Sequence, residues 1–156
     1  MKPGALFTGY EWLMVGNYDS ENTEHIRIKE GIEVGNGLPT LETPQSLQAA
    51  LKAAGFEIVE HFDANAKHFT DPRQVPWYDP LKGSMSLSGF RTSLVGRYCT
   101  HMMVTILEAL KIAPSGSVKV SEMLIATADD LVAAGQQGIM TPSYYFLARK
   151  PTTSSE

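Results

Sequence analysis

The chain has a single cysteine, Cys99, among its 156 residues. One thiol excludes an internal disulfide and any CxxC redox or metal pair, and fits a reducing compartment. Histidine is sparse as well. His25, His61, His68 and His101 show no HExxH or other paired ligand spacing, so no metal site is expected. Positive charge is in deficit, with 13 Lys and Arg against 17 Asp and Glu and a formal net charge of −4. Nucleic-acid binders gather Lys and Arg on one face, so no nucleic acid is expected as a partner. No run of 18 consecutive apolar residues occurs, and "MKPGALFTGY" holds too short an apolar stretch for a secretory leader. Membrane contact, where it happens, is therefore expected to be peripheral.

What is present is a hydrophobic content of 43%, enough for one core of good size in a chain too short for two comfortable domains. Lys2-Pro3-Gly4 is turn chemistry, and the aromatic and aliphatic run from Ala5 to Met14 reads as a strand. "SENTEHIRIKEGIEVGNG" opens on Ser20 as a candidate N-cap. Its Ile26, Glu30 and Glu33 make no clean apolar stripe, which predicts a mostly exposed helix with a glycine stop near Gly35. Thr43 then caps a stronger helix with Pro44 in its first turn, a face of Leu47, Ala50, Leu51 and Ala54, and Gly55 as its stop. A strand over Phe56–Phe62 completes an α/β unit.

From Asp63 to Gly89, Pro72, Pro76 and Pro80 are too close for a helix, and a loop of this length is usually functional or disordered. Leu94, Val95, Tyr98, Cys99, Met102, Met103 and Ile106 then recur at helical spacing, predicting an amphipathic helix over about residues 90 to 112. Cys99 and the methionines, Met140 included, are expected as core filler. Arg91 and Arg97 are expected to cover a helix surface. Ser117 is read as the cap of a second helix that passes through Leu124 and Val132 and stops at Gly135. The unbroken apolar "YYFLA" within a closing strand over Ser143–Ala148 reads as buried on both faces, as do parts of the first strand. The first strand lacks an upstream neighbour in this chain, so the whole looks like the back half of an open α/β sheet.

The segments "KPGALFTGYEW", "GLP", "GFEI", "PWYDPL", "FRTSLVGRYCTHMMVTILEAL", "IAPSGS" and "LVAAGQQGIMTPSYYFLARKP" resemble, in order and spacing, the C-terminal part of the sterol C24-methyltransferases. The resemblance implies an α/β fold: the C-terminal half of a class I, Rossmann-like methyltransferase sheet. Residues 5–14 would be its fifth strand, "FEIVEHF" its sixth and "SYYFLAR" its antiparallel seventh. It also implies a division into residues 1–62 of the sheet domain, a helical sterol-specific insertion over 63–138, a closing strand over 139–150 and a disordered tail over 151–156. The implied chemistry is transfer of a methyl group from S-adenosylmethionine to a sterol side-chain double bond. The resulting carbocation is quenched by a hydride shift and proton loss.

A cation developing in a dry pocket is stabilised by aromatic faces and a nearby carboxylate, and needs a base at the end. Tyr10, Glu11 and Trp12 supply these residue types at a strand end, where ligands of open α/β sheets sit. Glu11 is the expected catalytic charge partner, and Tyr10 and Trp12 the expected substrate aromatics. Trp77 and Tyr78 are further sterol-contacting candidates from the long loop. The same residues have plainer uses: strand-end aromatics pack cores, Glu11 can be solvated, and Trp77 and Tyr78 can pin a loop.

Two departures from the family stand out. Met14-Val15-Gly16 and Gly35-Asn36-Gly37 occur where the resemblance implies Met-Thr-Asp and Gly-Asp-Gly, so two carboxylates are missing. The Gly-rich turn after a first strand, which binding of S-adenosylmethionine requires on this sheet, is also missing: "GIEVGNG" follows a helix. The expectation is thus a portion of a sterol methyltransferase that supplies the sterol-side wall and does not methylate alone. The alternatives are a non-catalytic sterol- or lipid-binding module and a regulatory piece that pairs with a full-length methyltransferase or with its own copy through an exposed sheet edge. A cytoplasmic location, peripheral at the endoplasmic reticulum, follows from a sterol substrate without a membrane span.

Overall fold

The computed structural model describes residues 1–66, 71, 73–82 and 94–152. Arg91, His68 and the expected helix start near residue 90 lie outside the described residues. Eight elements follow in the order β1 (Leu6–Met14), α1 (Thr23–Asn36), α2 (Pro44–Ala53), β2 (Glu57–Asp63), α3 (Asp79–Lys82), α4 (Leu94–Ala109), α5 (Ser117–Gln137) and β3 (Met140–Arg149). The chain divides into two compact units. One comprises Met1–Tyr18, Thr40–Val75 and Gly138–Glu156; the other, Asp19–Pro39 and Pro76–Gln137, includes α1.

The first unit is a three-stranded sheet in the order β1-β3-β2, with β3 antiparallel to both neighbours. That order puts the last strand in the centre, and its antiparallel direction is the one the resemblance implied. β3 starts at Met140, three residues before the expected boundary, and carries Pro142 inside it. Proline has no N–H to give a ladder. Beside it the register with β1 slips between Glu11 and Leu13, leaving Trp12 at the irregularity.

Neither β3 nor β1 is buried on both faces. Tyr144, Phe146 and Ala148 are buried, while the alternate residues Tyr145 and Leu147 are only half-buried. β1 is largely exposed until Leu13 and Met14. The reason is coverage. Thr43 accepts the Ser46 N–H and starts α2, whose Leu47 and Leu51 pack with Phe56, Ile58, Phe146 and Ala148 on one sheet face. Phe7 joins this cluster with its ring centroid 5.3 Å from Phe146 in an edge-on contact.

The second unit is helical. Asn22, not Ser20, caps α1 by accepting the N–H groups of Glu24 and His25 at 2.9 and 3.4 Å. Gly37, in the left-handed conformation with φ 61°, ends it. α1 is not a mostly exposed helix: Ile28 and Ile32, four apart and so on one face, are 0% exposed. Gly31 and Gly35 are packing residues within it. A Cβ on Gly31 would overlap the Asp130 carboxylate of α5, and one on Gly35 the Thr127 side chain. The helix does end near Gly35, at Asn36, but Gly37 is the stop and Gly35 serves a close helix crossing. α5 likewise runs past Gly135 to Gln137.

Candidate functional site

In the first unit, Tyr10, Glu11 and Trp12 end the regularly paired part of β1. Tyr10 pairs with Tyr145 across the ladder, and Tyr145 pairs with Phe62 of β2. Period-two alternation puts all three on the sheet face opposite α2. Their rings form a continuous row, Tyr10 to Tyr145 at 5.5 Å and Tyr145 to Phe62 at 4.9 Å. Tyr10 is 62% exposed and Phe62 45% exposed, so this row is an uncovered aromatic rail. Sequence reasoning found Tyr10 and missed Tyr145 and Phe62, because only register aligns them.

Glu11 is exposed and sits opposite Tyr144, and Trp12 is half-buried. Tyr144 is buried on the α2 side, where its hydroxyl lies 2.8 Å from His61 Nδ1. Burial pushes the Tyr144 phenol up, a hydrogen bond with Gln48 opposes this, and the Asp63 charge adds to the rise. Nearby, the buried Thr141 donates to Asp63 Oδ1 at 2.7 Å and accepts from Asn65 Nδ2 at 3.1 Å, tying β3 to the end of β2. Val15 and Gly16, where the resemblance implied polar residues, form a turn whose Val15 N–H donates to the Ile139 carbonyl at 2.8 Å.

In the second unit, Trp77 and Tyr78 lie just before α3. Tyr78 is buried, and its ring occupies the space a Cβ on Gly135 would need. Lys82 Nζ stands 4.5 Å above that ring, and Trp77 meets it edge-on at 5.6 Å and 87°. Tyr78 thus fixes Trp77, which is half-buried.

α4 and α5 bound a cleft of about 660 Å³, walled by Val104, Val120, Leu124 and Ile125, with Arg97, Thr100 and Ser121 as polar members. Beside its Pro114–Ser117 lining stands Glu108, which accepts the Gly116 and Val118 N–H groups at 2.9 and 2.7 Å. These bonds, that from Gly116 first, hold the Glu108 carboxyl below its ordinary range. Glu108 does the work expected of Ser117, whose hydroxyl instead donates to the Pro114 carbonyl.

Several expectations on α4 need correction. Cys99, Met102 and Met103 are exposed rather than core, because no described element covers that face. Met140 is core as expected, at 2% exposed. Arg97 does not lie along an open surface: its Nη1 donates to Asp129 of α5 at 2.8 Å, and its side chain is 14% exposed. Sequence reasoning missed Arg97 as a site residue, although a lone cation in an otherwise apolar helix was a visible signal.

Among the described residues no helix is long and apolar enough to cross a membrane. The family described as sterol methyltransferase C-terminal matches residues 87–152. A cycloartenol-C-24-methyltransferase from Arabidopsis thaliana is 46% identical over 152 residues, covering 97% of this chain and 44% of the relative. A sterol 24-C-methyltransferase from Saccharomyces cerevisiae is 39% identical over 159 residues, covering 97% of this chain and 40% of the relative. The chain thus spans less than half the length of these relatives. Among solved structures, a putative sarcosine dimethylglycine methyltransferase from Galdieria sulphuraria matches with a TM-score of 0.52 at 12% identity, over 99% of this chain and 44% of that one. At that identity the likeness shows fold alone, that of part of a methyltransferase. By sequence, then, this chain is a relative of the sterol C24-methyltransferases over nearly its whole length, and residues 87–152 carry that family's C-terminal region.

Proposed function

We propose that this chain provides the acceptor side of an S-adenosylmethionine-dependent sterol C24-methyltransferase in sterol biosynthesis, and does not methylate alone. The observation that carries this reading is the similarity to the Arabidopsis cycloartenol-C-24-methyltransferase across 97% of the chain. In this reading the donor is held elsewhere than by the described glycines. The glycines of "GIEVG" are occupied by Asp130 and Thr127 in a helix crossing, so they leave no cradle for a cofactor. S-adenosylmethionine, when bound, supplies the methyl group; this chain's residues act on the acceptor.

In this reading the first unit offers Glu11 as a carboxylate facing a sterol side-chain cation and as the group that takes the final proton. Trp12, at the register slip beside Glu11, presents a ring face whose negative quadrupole favours a cation without quenching it, while Tyr10, on the other sheet face from Glu11, contacts the acceptor apart from that carboxylate. The second unit offers Trp77 as a sterol contact, with Tyr78 holding it edge-on. The division into a sheet domain at 1–62, a sterol-specific segment at 63–138 and a closing strand at 139–150 belongs to the same proposal. So does pairing with a second methyltransferase chain through the outer edge of β1, and a cytoplasmic location with peripheral contact at the endoplasmic reticulum membrane.

The test joins this chain behind the amino-terminal part of the Arabidopsis relative and measures 24-methylated product from cycloartenol by mass spectrometry. The fusion is expected to form product, and Glu11→Gln to lower its rate by about 100-fold, the scale of losing one electrostatic partner of a developing charge. The unfused chain is expected to show no heat of binding with S-adenosylmethionine. Tight stoichiometric binding of that donor by the unfused chain would refute the proposal.

A further inference from the structure

The outer face of α4 departs from what water favours on an exposed helix. Val95, Tyr98, Cys99, Met102, Met103 and Ile106 recur at spacings of three and four and are all exposed, so they form one apolar stripe. Leu110, whose N–H still donates to the Ile106 carbonyl at 3.0 Å, prolongs it by a turn. The two charged residues of α4 point the other way. Arg97 is engaged by Asp129 of α5, and Glu108 by the Gly116 and Val118 N–H groups. A helix with its charges turned to a neighbouring helix and its hydrocarbon turned outward is inverted relative to a solvated amphipathic helix. Single exposed apolar residues are ordinary, whereas a contiguous apolar patch marks a surface that binds something.

The end of the stripe carries charge of one sign. The chain leaves α4 through Leu110-Lys111-Ile112, where Leu110 and Ile112 are 64% and 70% exposed. Lys111 sits in the left-handed region at φ 57°. The turn is held by the Lys111 N–H on the Glu108 carbonyl and the Ile112 N–H on the Leu107 carbonyl, each at 2.9 Å. Lys119 stands in the first turn of α5 beside the exposed Val120. Among the described residues neither lysine forms an ion pair. Over residues 95–121, Arg97, Lys111 and Lys119 against Glu108 give a formal charge of +2, in a chain whose total is −4; the next carboxylate is Glu122. Exposed hydrocarbon bordered by unpaired lysines matches an anionic lipid surface. The apolar side chains enter the boundary between headgroups and acyl chains, while the lysine stems lie along it and their ammonium groups meet the headgroups. At 16 residues α4 is too short to span a bilayer and suits its plane. A second copy laid stripe to stripe would bring the same lysines and no counter-charge.

We propose that the outer face of α4 and the turn at residues 110–112 form a docking surface for an anionic lipid bilayer, with Lys111 and Lys119 selecting the anionic headgroups. This puts the peripheral contact proposed above on named residues, and rests on that reading only for which membrane is met.

The test uses the full chain and vesicles of phosphatidylcholine alone or mixed in equal parts with phosphatidylserine. An environment-sensitive fluorophore on Cys99, the one thiol, reports from the stripe itself, and its emission is expected to shift to the blue on docking. Binding to mixed vesicles is expected to be saturable, weakened by salt, and roughly tenfold or more tighter than to neutral ones. Lys111→Gly, at a backbone position glycine favours, and Lys119→Ser are each expected to weaken it roughly fivefold. Ile106→Glu puts a charge on the stripe and is expected to abolish flotation of the unlabelled chain with vesicles, with circular dichroism reporting an intact fold. Val34→Glu, at a more exposed position on α1 of the same unit, is expected to leave flotation unchanged. Absence of binding to mixed vesicles, equal binding to neutral ones, or unchanged binding by a folded Ile106→Glu overturns the proposal. So does a dimer that Ile106→Glu dissociates while no vesicle is bound, which would assign the stripe to a second copy. Vesicle binding by a chain whose fusion forms no methylated product would support the docking surface and count against the function proposed above. Product from a fusion, with no vesicle binding by the chain, would do the reverse.

Discussion

The two halves of α5 are built on different principles. From Thr127 to Gly135 the helix is pressed under α1 and Tyr78, with Thr127, Asp130, Ala134 and Gly135 buried. From Val120 to Leu124 it is open, and its neighbour α4 carries Tyr98, Met102, Met103 and Ile106 exposed. The buried half gets its closeness from absent side chains, since Gly31 and Gly35 let the α1 backbone meet α5 directly. The open half is held at separated points, by the Arg97–Asp129 pair and by Glu108 capping the start of α5. A helix pair fastened by such polar ties keeps apolar surface free. Such a surface suits binding of a hydrophobic ligand better than stability.

Breaking the best-packed parts should cost most. Phe146→Ala removes the ring that Phe7, Leu51 and Ala148 surround in the sheet unit, and is expected to lose about 3–5 kcal/mol in urea unfolding. Gly35→Leu should cost about 1–3 kcal/mol by forcing α1 off α5, because Thr127 there is part of a helix that cannot yield. An exposed-face change such as Met102→Ser is expected to stay within about 0.5 kcal/mol, and a loss as large as that of Gly35→Leu would mean that the two faces are not different after all.

The smallest effect sharpens the comparison through pH. Glu108 is held below its ordinary value by two backbone N–H groups, so its contribution is present above the unfolded carboxylate value of about 4.3 and is lost as pH falls through the lower folded value. Amide exchange at Gly116 and Val118 should therefore accelerate on that acid limb. Glu108→Gln should remove the pH dependence there, because a neutral amide has no proton to gain. An unchanged exchange profile in the variant would count against the staple.

Much of this was legible along the chain. Thr43 and Pro44 announced α2, and short runs of aromatic and aliphatic residues announced three strands, because caps and local composition act within a few residues. The Glu11 trio and the Trp77-Tyr78 pair were found as residue types at strand and loop ends, but types do not say what covers them. Gly31 and Gly35 read as a stop because a glycine's local effect is to weaken a helix, whereas its use here is to admit a partner about a hundred residues away. Ser20 read as the cap while Asn22 serves: both are good cap residues, and which one acts depends on where the turn before α1 closes. Cys99 and the α4 methionines read as core because helical spacing of apolar residues shows a face without showing whether anything lies against it.

The sequence by itself determined the types of the longer elements, the α/β class and the kinship with sterol C24-methyltransferases, since these are written in local chemistry and in the order of short motifs; the short helix α3, with Pro80 inside it, falls where the prolines read as too close for a helix. Only the tertiary structure decided which faces stay open. The aromatic row Tyr10-Tyr145-Phe62 exists through strand register, and the neutralised Arg97 beside an apolar cleft exists through the approach of α4 to α5. Both depend on contacts between residues far apart in the chain, where the free energy of packing, rather than any local preference, selects the neighbours.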